Sequence, residues 1–441
     1  MSNNDTIFAL ASANGSAGVG IIRLSGSRAL DVALKISKLK SIKPRTVYTT
    51  NFSNPENETI DYGVLLYFSA PKSFTGEDCI EIQCHGNNII YNLFFKEFLK
   101  YDCRMARKGE FIQRAFLNNK VNISQVDATL NLINSTTERQ HNLAIRSLTE
   151  NTLDKFLVWR EQLLEVKTKI IALLDFDDNE NFDSAIENID STIDKTAEDI
   201  TITQDQMEKI TRIKNGINIV ITGKVNQGKS TLFNSLINEN RAIVSDESGT
   251  TRDIIEAVIE IAGFKVSVFD TAGIRETDSV VEKIGIHKAN ESIASADIVL
   301  NVVSQEEFLK NNRKIPDDLM ENEILVLSKW EEDYPLNNKN RTKVFEVSVV
   351  KNTGLDELKK YLEKFITDNF VGDYPPILTQ VEYIDVVKKC EKLLKKAVKI
   401  VDLDIKVEVI NEALNLIASI TGLTGNDEWI DKLFSSFCVG K

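Results

Sequence analysis

The chain has 441 residues, more than one ordinary core organises, so two or three domains are expected. A hydrophobic share of 42% is that of a soluble globular protein, and a net charge of −13 argues against a broad polyanion-binding surface while leaving room for a local basic pocket. No apolar run approaches the roughly 20 residues that cross a bilayer, and "MSNNDTIFALASANG" lacks the basic start of a secretory signal, so a cytoplasmic protein with no membrane partner is expected.

Residues 1–118 hold several glycines and short β-branched runs, "VGIIRLSG", "YGVLLYFSA" and "CIEIQC", spaced by turn signals. This pattern predicts a small α+β domain. "CIEIQCH" reads as one strand, so Cys79, Cys84 and His85 are expected to be half-buried side chains, not metal ligands. The five scattered cysteines, an odd number, fit reduced thiols.

From Glu110 to Asn215 there is neither glycine nor proline. Apolar residues recur at helical spacing in "VDATLNLINS" and "FLVWREQLLEVKTKIIALLDF", which predicts long helices over 119–215. The acidic stretch "DFDDNENFD", from Asp175 to Asp183, marks a break between two of them and reads as a solvated turn. Residues 216–371 alternate strand and helix signals. "INIVITG", "VSVFD", "DIVLNVV", "EILVLS" and "KVFEVSV" are apolar runs of the kind buried in a mainly parallel sheet. A doubly wound α/β domain follows. "GDYPP" ends it, and residues 372–441 return to helix. The economical reading packs the two helical segments together with the α/β domain inserted between them.

"GKVNQGKS" (Gly223 to Ser230) matches G-x-x-x-x-G-K-[ST] after a strand and before a helix, the context that makes it a phosphate loop. Gly223 and Gly228 let the backbone curl so that its N–H groups face the phosphates, with Asn226, Gln227 and Thr231 alongside. Lys229 supplies a point charge at the β/γ-phosphates and Ser230 a hydroxyl for magnesium. The helix N-terminus adds partial positive charge. Asp270 ends an apolar strand, as a carboxylate reaching the magnesium shell must. It opens "DTAG", in which Thr271 and Ala272 lead to Gly273 and its N–H for the γ-phosphate. "SGTTRD" (Ser248 to Asp253), with Gly249, Thr250 and Thr251, falls where a switch loop belongs, just after Ser245, Asp246 and Glu247, and Thr250 or Thr251 is placed to sense the γ-phosphate through magnesium. Three motifs in this order predict a nucleoside triphosphatase.

The base-reading motif departs from the usual Asn-Lys-x-Asp. After "EILVL" the chain has Ser328, Lys329 and Glu331 in "SKWEED", then Ser348 and Val349 at the second base loop. Glutamate still presents two acceptor oxygens, but serine does not reproduce an amide. Guanine preference with weakened affinity is expected. Ile274, after the Asp-x-x-Gly turn, cannot hydrogen-bond an attacking water, so another residue must place it.

The whole length resembles the tRNA-modification GTPase MnmE (TrmE) family. The resemblance rests on "GVGIIRLSG", "SFTGEDCIEIQCHGN", "GEFIQRAFLNNK", "AIVSDESGTTRD", "DTAGIRETDSVVEKIGI" and "LFSSFCVGK". It implies that Glu282, by itself an ordinary helix glutamate, orients the water. It further implies a potassium ion beside the phosphates, held by Asn226, Ser245, Glu247 and Thr250, in a site assembled when two nucleotide domains dimerise. The N-terminal domain is then expected to bind a tetrahydrofolate derivative, 5-formyl- or 5,10-methylene-tetrahydrofolate, through Arg23, Glu81, Lys120 and Lys441. Cys438 receives no catalytic assignment. Implied partners are a second copy of the chain, the flavoprotein MnmG (GidA) in a heterotetramer-like complex, and tRNA. The implied work is addition of an aminomethyl or carboxymethylaminomethyl group to carbon 5 of the wobble uridine, with GTP hydrolysis driving domain movement. A ribosome-assembly GTPase and a nucleotide-gated dimerising scaffold are the alternatives.

Overall fold

The computed structural model describes residues 5–150, 152–175, 182–239, 255–270, 296–311, 315, 319–331, 343–372, 374, 381–421 and 434–440. The chain divides into two compact units: residues 1–130 with 421–441, and residues 131–420.

In the first unit, strands β1 (Thr6–Leu10), β2 (Ala17–Ser25), β3 (Tyr48–Ser53), β4 (Thr59–Phe68), β5 (Cys79–Gly86) and β6 (Cys103–Met105) form a sheet of order β3-β4-β5-β2-β1-β6. All its pairings are antiparallel except β1 with β6. Alternation along β2 and β5 sends Ile22, Leu24, Ile80 and Ile82 into one core. Helices α1 (Ala29–Ser37) and α2 (Asn88–Lys100) close it with Val32, Phe94 and Phe98. On the other face, Ile7 and Ala9 meet Phe111 of α3 (Glu110–Leu117). Because both faces are covered, Cys79 and Cys84 are not half-buried as expected but fully buried, and burial pushes each thiol up to about 12. Ile112, Ile123 and Val126, the last two on α4 (Ile123–Asn134), pack with Phe434 and Phe437. Lys108 bridges to Val439.

The second unit contains α5 (Glu138–Thr149), α6 (Asp154–Asp175) and α7 (Phe182–Asn215). Thr137 and Gln140 form a reciprocal capping box at the start of α5. The acidic break read from the sequence falls where α6 ends and before α7 begins. Three shorter helices, α3, α4 and α5, precede these two, so the glycine-free run is more divided than its periodicity suggested.

The second sheet is built from β7 (Ile217–Thr222), β8 (Ile255–Ile261), β9 (Phe264–Asp270), β10 (Ile298–Ser304), β11 (Glu323–Ser328) and β12 (Val344–Val347), in the order β12-β11-β10-β7-β9-β8. All pairings are parallel except β8 with β9. Ile219, Val220 and Ile221 of β7 are all fully buried, as a central strand covered on both faces requires. Among the described residues, helices α8 (Lys229–Glu239), α9 (Gln305–Lys310) and α10 (Leu355–Phe370) belong to this α/β segment. Helices α11 (Val381–Ala397) and α12 (Leu403–Thr421) then return to α7. Thr201 donates to Glu391, Lys388 pairs with Glu208, and the buried Lys406 pairs with Asp190 at 2.6 Å. Among the described residues no helix is long and apolar enough to cross a membrane.

Candidate nucleotide site

The second sheet gathers its loops at the carboxyl ends of its parallel strands, where sheets of this kind bind ligands. Gly223 follows β7 at φ +137°, and a Cβ there would lie 2.2 Å from the Val302 carbonyl oxygen. No side chain is tolerated at that approach. Asn226 and Gly228 also take positive φ, so the loop curls twice before α8 starts at Lys229.

Lys229 is buried, and its Nζ donates to the carbonyls of Gly223 and Lys224 at 2.7 and 2.8 Å. Burial lowers the pKa of its ammonium, and the Asp270 carboxylate opposes that shift. β9 runs parallel to β7 with Ile221 opposite Asp270, which sets this fully buried carboxylate beside the loop. Ser230 donates to Asp270 Oδ2 at 2.8 Å. A cation at the head of a curled loop, next to a hydroxyl–carboxylate pair, suits a polyphosphate with a hard divalent ion.

Beside it lies a cavity of about 300 Å³ lined by Gly228, Thr231, Ser328, Lys329, Glu331, Ser348 and Val349, with Val326, Trp330 and Val347 among its apolar walls. The two loops expected at the base therefore meet at one hollow next to the phosphate loop. Ser328 is buried and donates through Oγ to the Gln227 carbonyl, while Lys329 Nζ donates to the Asn226 carbonyl at 2.8 Å. Lys329 has a left-handed backbone, φ +54°. Two buried residues not singled out from the sequence join this group. The Ser304 N–H donates to Gln227 Oε1, and Gln305 Oε1 accepts the Glu331 N–H at 2.8 Å. Neither belongs to a sequence motif: Ser304 acts through its own backbone N–H, and Gln305 through a side-chain oxygen that accepts a distant backbone N–H. The missing signal is therefore physical.

In the first unit, Arg23 and Glu81 stand opposite each other on β2 and β5. Arg23 Nε and Nη2 both donate to Glu81 Oε1, at 3.0 and 2.7 Å. The guanidinium also lies 5.4 Å from the Phe74 ring centre and 5.7 Å from that of Phe111. Glu81 is thus half-buried and paired, not the solvent-facing residue that alternation alone suggests. Lys120 is exposed, its stem close to Gly76. Cys438 is an exposed free thiol.

Ser245, Asp246, Glu247, Ser248, Gly249, Thr250, Thr251, Thr271, Ala272, Gly273, Ile274, Glu282 and Lys441 lie outside the described residues.

Comparison with known proteins bears on the whole chain. The profile described as "GTP-binding protein TrmE N-terminus" matches residues 6–120, and that of the "MnmE helical domain" matches residues 123–438. A tRNA modification GTPase MnmE of Ehrlichia ruminantium (strain Welgevonden) is 35% identical over 443 residues, covering 99% of this chain and 100% of that one. Proteins of the same description from a Wolbachia of Brugia malayi and from Aquifex aeolicus are each 34% identical, covering 100% and 99% of this chain and the full length of their own.

Proposed function

Since the chain belongs to the MnmE (TrmE) family of tRNA-modification GTPases, we propose that it hydrolyses GTP in the cytoplasm to drive modification of tRNA at carbon 5 of the wobble uridine. The observation that carries the reading is the cluster of Lys229, Ser230 and Asp270 beneath a loop that admits no side chain at Gly223.

Ser230 and Asp270 present oxygen donors of the kind magnesium prefers, and a magnesium ion bound there offsets phosphate charge. Lys229 exchanges its two carbonyl partners for phosphate oxygens when nucleotide enters. Glu331 accepts the N–H edge of guanine in the adjoining cavity, with Ser328 and Lys329 holding its loop to the phosphate loop. Thr251 adds a magnesium ligand from the switch, and the "DTAG" backbone meets the γ-phosphate. Glu282 orients the attacking water in place of Ile274. Asn226, Ser245, Glu247 and Thr250 would hold a potassium ion once two nucleotide segments dimerise, and that ion would supply the charge another GTPase takes from an arginine.

In the first unit, both bonds from Arg23 fall on one oxygen of Glu81. The other oxygen then accepts from a pterin, while Lys120 and Lys441 suit the acidic tail of a tetrahydrofolate. A tetrahydrofolate held there would supply the one-carbon unit for the modification, with the flavoprotein MnmG as the partner that would bring the redox cofactor. The four segments 1–118, 119–215, 216–371 and 372–441 are the working division: folate binding, helical scaffold, GTPase, and helical return with the cysteine-bearing tail.

Mass spectrometry of tRNA nucleosides from a strain lacking this chain tests the proposal. Loss of the aminomethyl-type modification at the wobble uridine is expected. An unchanged nucleoside profile, with ribosome assembly disturbed instead, sinks it.

A further inference from the structure

Trp330 and Glu331 are successive residues at the base cavity, and their backbone amides are held differently. The Trp330 N–H donates to the Val347 carbonyl, a bond that continues the sheet edge. The Glu331 N–H has left the sheet and is taken by the side-chain oxygen of Gln305, 2.8 Å away. Gln305 is only 7% exposed and heads α9 directly after β10.

The residue before it is tied in as well. Ser304 pairs in register with Ser328, and its N–H donates to Gln227 in the phosphate loop. Ser328 closes the circuit by donating to the Gln227 carbonyl. Residues 227, 304 and 328 therefore form one braced unit, and Gln305 extends that brace to residue 331.

We infer that Gln305 is a positioning residue for base recognition: by fixing the peptide between Trp330 and Glu331, it aims the Glu331 carboxylate at the base. This rests on Glu331 as the base reader. A glutamate has one more rotatable bond than the usual aspartate and loses more freedom on binding. A Glu331 amide that swings freely adds backbone freedom to that loss. With the amide clamped, only side-chain torsions remain to be ordered.

The test compares dissociation constants of the full chain for GDP and IDP, two nucleotides that differ by the 2-amino group a carboxylate would accept from. Gln305→Met keeps the bulk and removes the acceptor. It is expected to lower the preference for GDP over IDP about three- to tenfold, the loss of one hydrogen bond's worth of order, with little change in thermal midpoint. Gln305→Ser, too short to reach the amide, is expected to do the same and serves if the methionine variant does not fold. Glu331→Ala is run alongside. If it leaves the preference intact, Glu331 does not read the base. If it abolishes the preference while either Gln305 variant retains it, Glu331 stands and the positioning role is overturned. Equal weakening of both nucleotides by the Gln305 variants also overturns it, because that is what a merely structural residue produces.

Discussion

Glu110 sits at the centre of a buried charge network in the first unit and is fully inaccessible to water. Arg104 reaches it at 2.5 Å and Arg114, itself 1% exposed, at 3.1 Å, while the Arg107 amide donates at 2.9 Å. Burial pushes its carboxyl up, but these donors outweigh that and hold it down at about 2, below an ordinary 4.5. A carboxyl depressed by folding stabilises the protein fully above its unfolded pKa and loses that contribution as pH falls through the folded one. The denaturant midpoint of the first unit is therefore expected to fall on acidification from pH 4.5 towards 2. Glu110→Gln is expected to flatten that window and to cost about 3–5 kcal/mol at neutral pH, because two arginines lose a buried partner. A neutral-pH midpoint unchanged in the variant would mean that the network carries no stability. At this scale the sequence was most legible where chemistry demands fixed spacing: Gly223, Lys229, Ser230 and Asp270 announce themselves. Gln305 does not, since a side chain accepting a backbone N–H 26 positions away leaves no pattern in the residues between. The environments of Cys79 and Glu81 were also hidden, because period-2 alternation does not tell which faces of a sheet later elements will cover.

The apolar runs of the second sheet could be read as strands because a parallel sheet covered on both faces needs uninterrupted apolar stretches, as in Ile217–Thr222. Helices were legible as a class but not in number. The breaks between α3, α4 and α5 lack glycine and proline, and are made instead by local capping, as Thr137 and Gln140 do for α5. The inserted-domain reading has the two helical segments packing together, but which residues of α12 meet α7 had no sequence signal beyond amphipathic periodicity. Yet Lys406 is 1% exposed and its ammonium lies 2.6 Å from Asp190, 216 positions earlier. Lys406→Ala removes the cation from a pair whose carboxylate is partly solvated, so a loss of about 3 kcal/mol is expected, at the low end for broken buried pairs. Lys406→Met, which keeps the stem's packing, is expected to recover part of it. Urea unfolding of the two variants beside the parent checks both the cost and its division between charge and packing.

Across the whole chain, the mixed α+β and doubly wound α/β architecture was readable from where glycine, proline and apolar period change. The proposed mechanism places part of its machinery on a second copy of the chain and on a monovalent ion. Two dependences are therefore expected together. Phosphate release from GTP per chain should rise with protein concentration, and it should drop at least tenfold when sodium replaces potassium at constant ionic strength. Turnover that is flat in both respects excludes the proposed arrangement, whatever the nucleotide affinity.

The packing of Phe434 and Phe437 against Ile112, Ile123 and Val126 bears on how the protein is made. A ribosome adds about 5–20 residues per second, so the roughly three hundred residues between Val126 and Phe434 take on the order of 15–60 s to emerge. Throughout that interval the early aliphatic side chains have Phe116 beside them but lack Phe434 and Phe437, although the sheet beside them is already synthesised. A nascent polypeptide that stalls before those two phenylalanines leaves a greasy notch open to chaperones and proteases. The early aliphatic side chains therefore gain these two rings as neighbours only after the stretch carrying Phe434 and Phe437 has emerged.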